Sequence, residues 1–341
     1  MKRNNIIGIV LIAMAMLVAT ACDDMNKGPR KERSVGGTSE ILVVTQNDDQ
    51  WDGMIGDTIR AFFLQAQYGL PQPEAFNKLA HLNVSGFNDM FKKHKCILIV
   101  EINPNLDKPV VETSEDLWSA PQRVLKVMAP NRTSWCQIFE EQKEAYKVMF
   151  DKVERERILS ILRPSNDEKI TKQIKKKFGF DMVIPSGFFI SKEESDFMWI
   201  RKELEKNSFG IFIYTTPYKD TVQLELNGLV SVRDRMLQKY VPGPSDGSFM
   251  TTEKEFMPPL VNYTANYPTG FAAEMRGMWC LIGDYMAGPF ISYTFPDNNT
   301  GNLVTLEGYV YYPNHDKRDD LLQLQSLLYS IQMPKEEENQ P

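Results

Sequence analysis

The sequence predicts an α+β protein, a mixed or antiparallel sheet with helices packed on one face, whose first half is ferredoxin-like (split βαβ) and whose second half is related. Two observations carry this. Short β-branched or aromatic runs bounded by turn residues alternate with longer stretches whose apolar residues recur every three or four positions, the periods of strand and helix. Up to residue 184 their order reads β-α-β-β-α-α-β, which is the split βαβ pattern with one extra helix.

The first strand is Ile41-Leu42-Val43-Val44, ended by the polar group from Gln46 to Gln50. Residues 52–67 follow as a helix, with Ile55, Ile59, Phe62, Phe63 and Ala66 at helical spacing before Gly69 and Pro71. Residues 96–102 and 122–128 give two more strands, the latter set between Pro121 and Pro130. A long helix over 134–162 is closed by Pro164. The next helix opens at Ser165, which forms a capping box with Glu168, and stops at Gly179. Residues 180–184 read as the last strand of this half. The second half has strands near 197–201 and 209–214, a helix over 221–240, strands around 272–280, 290–295 and 303–312, and a final helix over 317–331. The resulting units are 40–190 and 191–333, with 334–341 a disordered tail.

Ahead of these units the chain reads as an export signal. Lys2 and Arg3 precede an apolar run from Ile6 to Val18, and Ala19, Thr20 and Ala21 stand directly before Cys22. The run is shorter than the roughly 20 residues a permanent bilayer span needs, so 1–21 is expected to be removed. A cysteine placed there resembles the bacterial lipobox, in which it is acylated and becomes the new N-terminus; Ala19 stands where that signal usually has leucine. The plain alternative is ordinary secretory cleavage. Residues 22–39, rich in Lys, Arg, Gly and Ser without apolar periodicity, are expected to form a flexible tether. Asp23 and Asp24 are similar to the acidic export signals of Bacteroidetes-type surface lipoproteins, while in other Gram-negative groups an Asp there accompanies inner-membrane retention.

Composition narrows the classes. About 25% charged and 42% hydrophobic residues are those of a globular protein with a real core. The net charge of −6 and the dispersed basic residues exclude an extended nucleic-acid-binding face. Cys96, Cys136 and Cys280 remain beside Cys22; Cys96 and Cys280 sit in apolar runs, which favours buried free thiols over a disulfide.

Chemistry-bearing motifs are missing. The sequence has no Ser-x-x-Lys, no His-Glu-x-x-His, no Cys-x-x-Cys and no phosphate-binding glycine loop, so neither a metal nor a cofactor is expected. Asp297 to Gly301 reads as a turn between strands. The segment from Tyr263 to Tyr312 is dense in aromatics. Within it Tyr267, Glu274, Arg276, Trp279, Asp284 and Glu307 combine rings with charges as a sugar- or peptide-binding groove would. The competing reading is a sheet core, which favours aromatics in any case. Asp57-Thr58-Ile59 and Asp220-Thr221-Val222 resemble the acceptor tripeptide of Bacteroidetes O-glycosylation, and both also fit helix caps.

The lipobox, the acidic pair, Trp51-Asp52-Gly53 after the first strand and the aromatic half from Phe271 to Tyr312 together resemble a family of Bacteroidetes lipoproteins, domain of unknown function 4837. The resemblance covers nearly all of the chain beyond the signal. It implies a lipid-anchored envelope location, at the periplasmic face of the outer membrane or the cell surface, and carries no functional residues. Three readings stay open: non-catalytic binding of an envelope protein or glycan, a carboxylate-dependent hydrolase of envelope glycans or peptides, and a structural or assembly helper of an outer-membrane complex.

Overall fold

The computed structural model describes residues 31–334. The expected signal peptide, the acylation at Cys22, the tether up to residue 30 and the tail from 335 lie outside the described residues. No helix of the described residues is long and apolar enough to cross a membrane.

The mixed α+β class is as expected, built as two sheets. The first unit contains β1 (Glu40–Thr45), α1 (Asp48–Trp51), α2 (Met54–Phe63), β2 (Lys78–Asn83), α3 (Asp89–Lys92), β3 (Cys96–Ile102), β4 (Val110–Glu115), β5 (Arg123–Ala129) and α4 (Arg132–Leu162). Its strand order is β2-β1-β3-β5-β4. The pairs β1 with β2, β1 with β3, and β3 with β5 are parallel, and β4 alone runs antiparallel. This largely parallel sheet replaces the ferredoxin-like arrangement expected for 40–190. The difference comes from β2 and β4, edge strands with no fully buried residue. Lacking a buried face, they carry no apolar run to announce them.

Side-chain alternation divides the sheet's two faces. Ile41, Val43, Leu98, Val100, Leu125 and Val127 meet Ile55, Ile59, Phe62 and Phe63 of α2 and Trp135, Phe139, Tyr146, Phe150 and Val153 of α4. Leu42, Val44, Ile97 and Val124 form a smaller core on the other face, with Phe87, Phe91 and Trp118 against it. Trp135 Nε1 donates to Val127 O at 2.9 Å, seating the first turns of α4 on β5.

The same helix is fixed further along by a buried ion pair. Lys95 Nζ lies 2.9 Å from Glu154 Oε2, and both side chains are almost fully enclosed. Glu154 also accepts from Ser39 N at 3.1 Å, and Lys95 donates to Gly37 O. Residues 33–39 are therefore packed into the fold instead of forming part of a free tether. Arg33 bridges to Ala120 and Val35 to His94, while Ser34 and Ser39 are buried. Gly36, at φ +115, admits the His94 ring where a Cβ would stand 2.5 Å from Nε2.

The second unit contains α5 (Glu168–Phe178), β6 (Phe189–Glu194), β7 (Phe197–Glu203), β8 (Ser208–Pro217), α6 (Leu226–Tyr240), β9 (Phe249–Thr252), β10 (Leu260–Thr264), β11 (Ala272–Ile282), β12 (Ala287–Asp297), β13 (Asn302–Tyr311) and α7 (Arg318–Leu328). Its sheet order is β10-β11-β12-β13-β8-β7-β6, with β9 also on β11, and the pairs are antiparallel. Helices cover both faces, not one: α5 and α7 on one side and α6 on the other. Strands β8, β12 and β13 are accordingly buried along nearly their whole length.

Residues 180–184 do not form the expected strand. Phe180, Met182, Val183 and Ile184 are all buried, and their backbone is held by Ser330 Oγ, Asn166 Oδ1 and a bridge from Asp181 to Gln332. An apolar run thus serves as a packed connector. Asp167, not Ser165, caps α5 by accepting from Lys169 N and Ile170 N; Gly179 ends it at φ +82 as expected. Because α5 and this connector belong to the second core, the units divide at the turn after α4 and not at residue 190.

The units are locked to one another. Leu159 and Leu162 of α4 pack on the second core, and the Arg155 guanidinium lies 4.0 Å from the Tyr329 ring centre. Glu74 accepts from the backbone of Lys317 and Arg318, at 2.8 and 2.9 Å, at the start of α7. The three cysteines of the described chain are free, and burial pushes the Cys96 thiol up.

Removing one partner of a buried pair strands the other charge, which costs about 3–5 kcal/mol. Glu154→Ala is expected to lower unfolding free energy in urea by that amount, and Lys95→Met combined with Glu154→Leu to recover most of it. A double variant as unstable as the single one would contradict the assignment.

Candidate functional site

In the second sheet, residues paired across strands share a face, and that register sorts the six groove candidates. Glu274 lies opposite Tyr293 and Tyr293 opposite Leu306, whereas Met275 lies opposite Ser292 and Ser292 opposite Glu307. Glu274 and Arg276 therefore face α4 and α7, while Trp279 and Glu307 face α6. The candidates do not form one groove.

On the α4 and α7 side the polar groups satisfy one another. Arg276 Nε donates to Glu274 Oε1 at 2.6 Å, Tyr293 Oη donates to Glu274 Oε2 at 2.7 Å, and Gln325 Nε2 donates to Tyr293 Oη at 2.6 Å. Burial raises the Glu274 carboxyl, but Arg276, the Tyr293 hydroxyl and Lys147 together hold the group below its ordinary range. Tyr267 is buried, stacks on Tyr293 at 4.6 Å and donates to Leu328 O. This is a closed network joining the sheet to α7.

On the α6 side Glu307 and Arg233 are both fully enclosed and paired through two hydrogen bonds, at 2.9 and 2.7 Å. Arg233 also donates to Thr252 Oγ1 at 2.8 Å and stands 3.7 Å from the Phe290 ring centre. Burial pushes the Glu307 carboxyl up against the pull of Arg233. Asp284 lies apart, in the turn between β11 and β12, where it accepts from Ser245 Oγ at 2.8 Å. Among the described residues no group of three or more His, Cys, Asp or Glu is placed to hold a metal ion.

One candidate, Trp279, does line an open site. Beyond the end of α6 a cavity of about 310 Å³ is floored by Trp199, Trp279, Tyr309 and Tyr311. Leu281, Met250, Met286 and the Pro242 to Pro244 loop form its walls. Two glycines inside strands shape the floor. At Gly210 a Cβ would stand 1.8 Å from Tyr309 Cε1, so the ring lies over bare backbone; at Gly288 it would stand 2.1 Å from Val310 O and 3.0 Å from Trp279 Nε1. Trp199 Nε1 donates to Tyr309 Oη at 3.0 Å and Trp279 Nε1 to Val310 O at 3.2 Å, which fixes both indoles. Burial raises the Tyr309 hydroxyl, which stays protonated.

Arg201 supplies the charge at this site. Its guanidinium lies 4.6 Å from the Trp199 ring centre and pairs with Glu203, while its buried Nε has no partner among the described residues. Tyr285, next to Met286 in the β11–β12 turn, is fully exposed. Trp199, Arg201 and Tyr309 were not among the groove candidates because β7, which carries the first two, meets β13 only through register across β8, Arg201 opposite Gly210 opposite Tyr309. The available signal was the pair of glycines within otherwise apolar strand runs.

Gly210→Ala is expected to displace Tyr309, break its bond with Trp199 and destabilise the fold by about 1–3 kcal/mol, with a shift in tryptophan emission. Unchanged emission and thermal midpoint would show that the floor is not set by this glycine.

The comparisons divide the chain at the same place as the sheets. Residues 34–163 match the model of one domain of unknown function (DUF8532), and residues 167–330 match that of another (DUF4837). The second match spans the second unit and not nearly the whole chain as expected. A solved structure, LpqN of Mycobacterium tuberculosis, described as involved in cell envelope biogenesis, aligns at 12% identity over 46% of this chain and 83% of that one. Its TM-score of 0.26 is too low to bear on fold or function. No curated protein matches the chain. The second unit, residues 167–330, is thus the part of the chain that carries a domain of unknown function 4837.

Proposed function

We propose that this protein is a non-catalytic binding protein of the bacterial cell envelope, tethered by lipid on Cys22, that takes an apolar side chain of another envelope protein into the aromatic cavity. The cavity beside Trp199, Trp279 and Tyr309 carries the reading. Its volume, about 310 Å³, is at the small end of ligand pockets and suits one large side chain. Anchors of that kind, seated in a desolvated pocket, dominate protein interfaces. Methionine, leucine and proline walls with one cation favour such an anchor over a sugar, which would need more hydrogen-bond partners. Tyr285, beside Met286, offers further apolar contact outside it.

The tether rests on Lys2, Arg3, the apolar run from Ile6 to Val18 and the small residues before Cys22. A hydrolase built on Glu274 and Glu307 gains no support, since they lie on opposite faces and each is paired with an arginine. Paired catalytic carboxylates must face one substrate.

The test is recovery of partners from cross-linked cells with the tagged chain. One stoichiometric envelope protein is expected with the wild type, at least tenfold less with Met286→Glu, and loss of membrane association with Cys22→Ala. Recovery unchanged by Met286→Glu in a folded chain would place the partner elsewhere.

A further inference from the structure

The described chain enters the fold at a corner of the first unit where three segments converge. Val35 bridges to His94 and Arg33 to Ala120. Ser119 Oγ donates to Lys93 O at 3.0 Å and Gln122 Nε2 to Lys92 O at 2.6 Å. Phe87 and Trp118 meet edge to face at 5.7 Å and, with Phe91, cover the smaller core of the sheet. On these same segments Val35, Val84, Met90 and Leu117 are exposed, Met90 by 64%. Single exposed apolar residues are ordinary, but four on converging segments beside aromatics mark a contact surface.

The charges among them nearly cancel. Lys31, Arg33, Lys92 and Lys93 stand against Glu32, Asp89 and Asp116; Lys92 pairs with Asp89 at 2.9 Å and Lys93 with Glu32. The surface is thus apolar in character and weakly charged. Cys22 lies nine positions before Lys31, a reach of roughly 30 Å at full extension.

We infer that this corner docks on the surface of a lipid bilayer, with Met90 and Leu117 entering the head-group region and Trp118 and Phe87 behind them. The inference rests on the tether reading of Cys22, because a lipid there confines this corner close to the membrane. Apolar side chains backed by tryptophan suit the boundary between head groups and acyl chains. Near-cancelled charge makes the contact insensitive to salt and to anionic lipid. Docking would orient the first unit toward the membrane.

The experiment uses the chain from residue 23 onward, which holds every described residue, carrying an N-terminal histidine tag bound to nickel-chelating lipid in phosphatidylcholine vesicles. Anchoring then does not depend on acylation. An environment-sensitive fluorophore is placed at Met90→Cys or, as a control, at Tyr285→Cys, both with Cys136→Ser and Cys280→Ser. The label at position 90 is expected to shift to the blue and to be quenched by brominated lipid at low and high salt alike, while the label at 285 reads water. Without the tag, Leu117→Asp is expected to weaken vesicle partitioning roughly tenfold. A label at 90 that still reads water on tethered vesicles overturns the inference. So does a label already shielded before vesicles are added in a concentration-dependent manner, which would assign the surface to a second copy of the chain. Failure of the tether reading shows separately, as an unacylated Cys22 peptide from cells, and leaves the vesicle result unchanged.

Discussion

Helix α4 is the constraint on which the rest of the structure depends. Its 31 residues span about 46 Å, longer than either sheet needs alone. Trp135, Phe139, Tyr146, Phe150 and Val153 bury one stripe against the first sheet, and Leu159 and Leu162 carry that stripe into the second core. The solvated face carries pairs such as Lys152 with Glu156, worth a few tenths of a kcal/mol. What fixes the register of the helix is therefore not its surface. It is the enclosed pair of Lys95 and Glu154, which also captures the chain at Gly37 and Ser39.

Once α4 is placed, the inner face of the second sheet must be closed. The Glu274, Arg276, Tyr293 and Gln325 network and the start of α7 on Glu74 achieve this. The outer face is covered only as far as α6 reaches. Past Tyr240 the chain turns through Val241, Pro242, Gly243 and Pro244, and the sheet beyond is left with aromatic rings and no helix above them. The cavity is a consequence of that geometry, and its floor is held in place by the hydrogen bonds that fix Trp199, Tyr309 and Trp279.

Sequence patterns disclosed the elements whose burial is one-sided or complete. The strands at 41–44, 96–102, 209–214, 290–295 and 303–312, helix α4 and the stop at Gly179 all follow from apolar period and turn residues. The buried free Cys96 was legible from its apolar neighbours, whereas Cys280 is free but only half-buried. Edge strands β2 and β4 were not, because a strand with no buried side has no hydrophobic signature. Residues 180–184 misled for the opposite reason, being buried without strand pairing. The groove candidates failed on register: a list of residues along β11 cannot say that positions 274 and 276 face one way and 279 the other until β12 and β13 are aligned beside it. Residues 33–39 looked like tether because their contacts are backbone bridges and buried serines, which composition does not register.

The most direct measurement is photo-crosslinking in living cells from a benzophenone amino acid installed at Tyr285, with the same residue at Tyr218 as a control. A single discrete adduct to another envelope protein from position 285, and none from 218, is the result expected if the aromatic cavity is the binding site. Adducts absent from 285 while the protein is folded and in the envelope would contradict it.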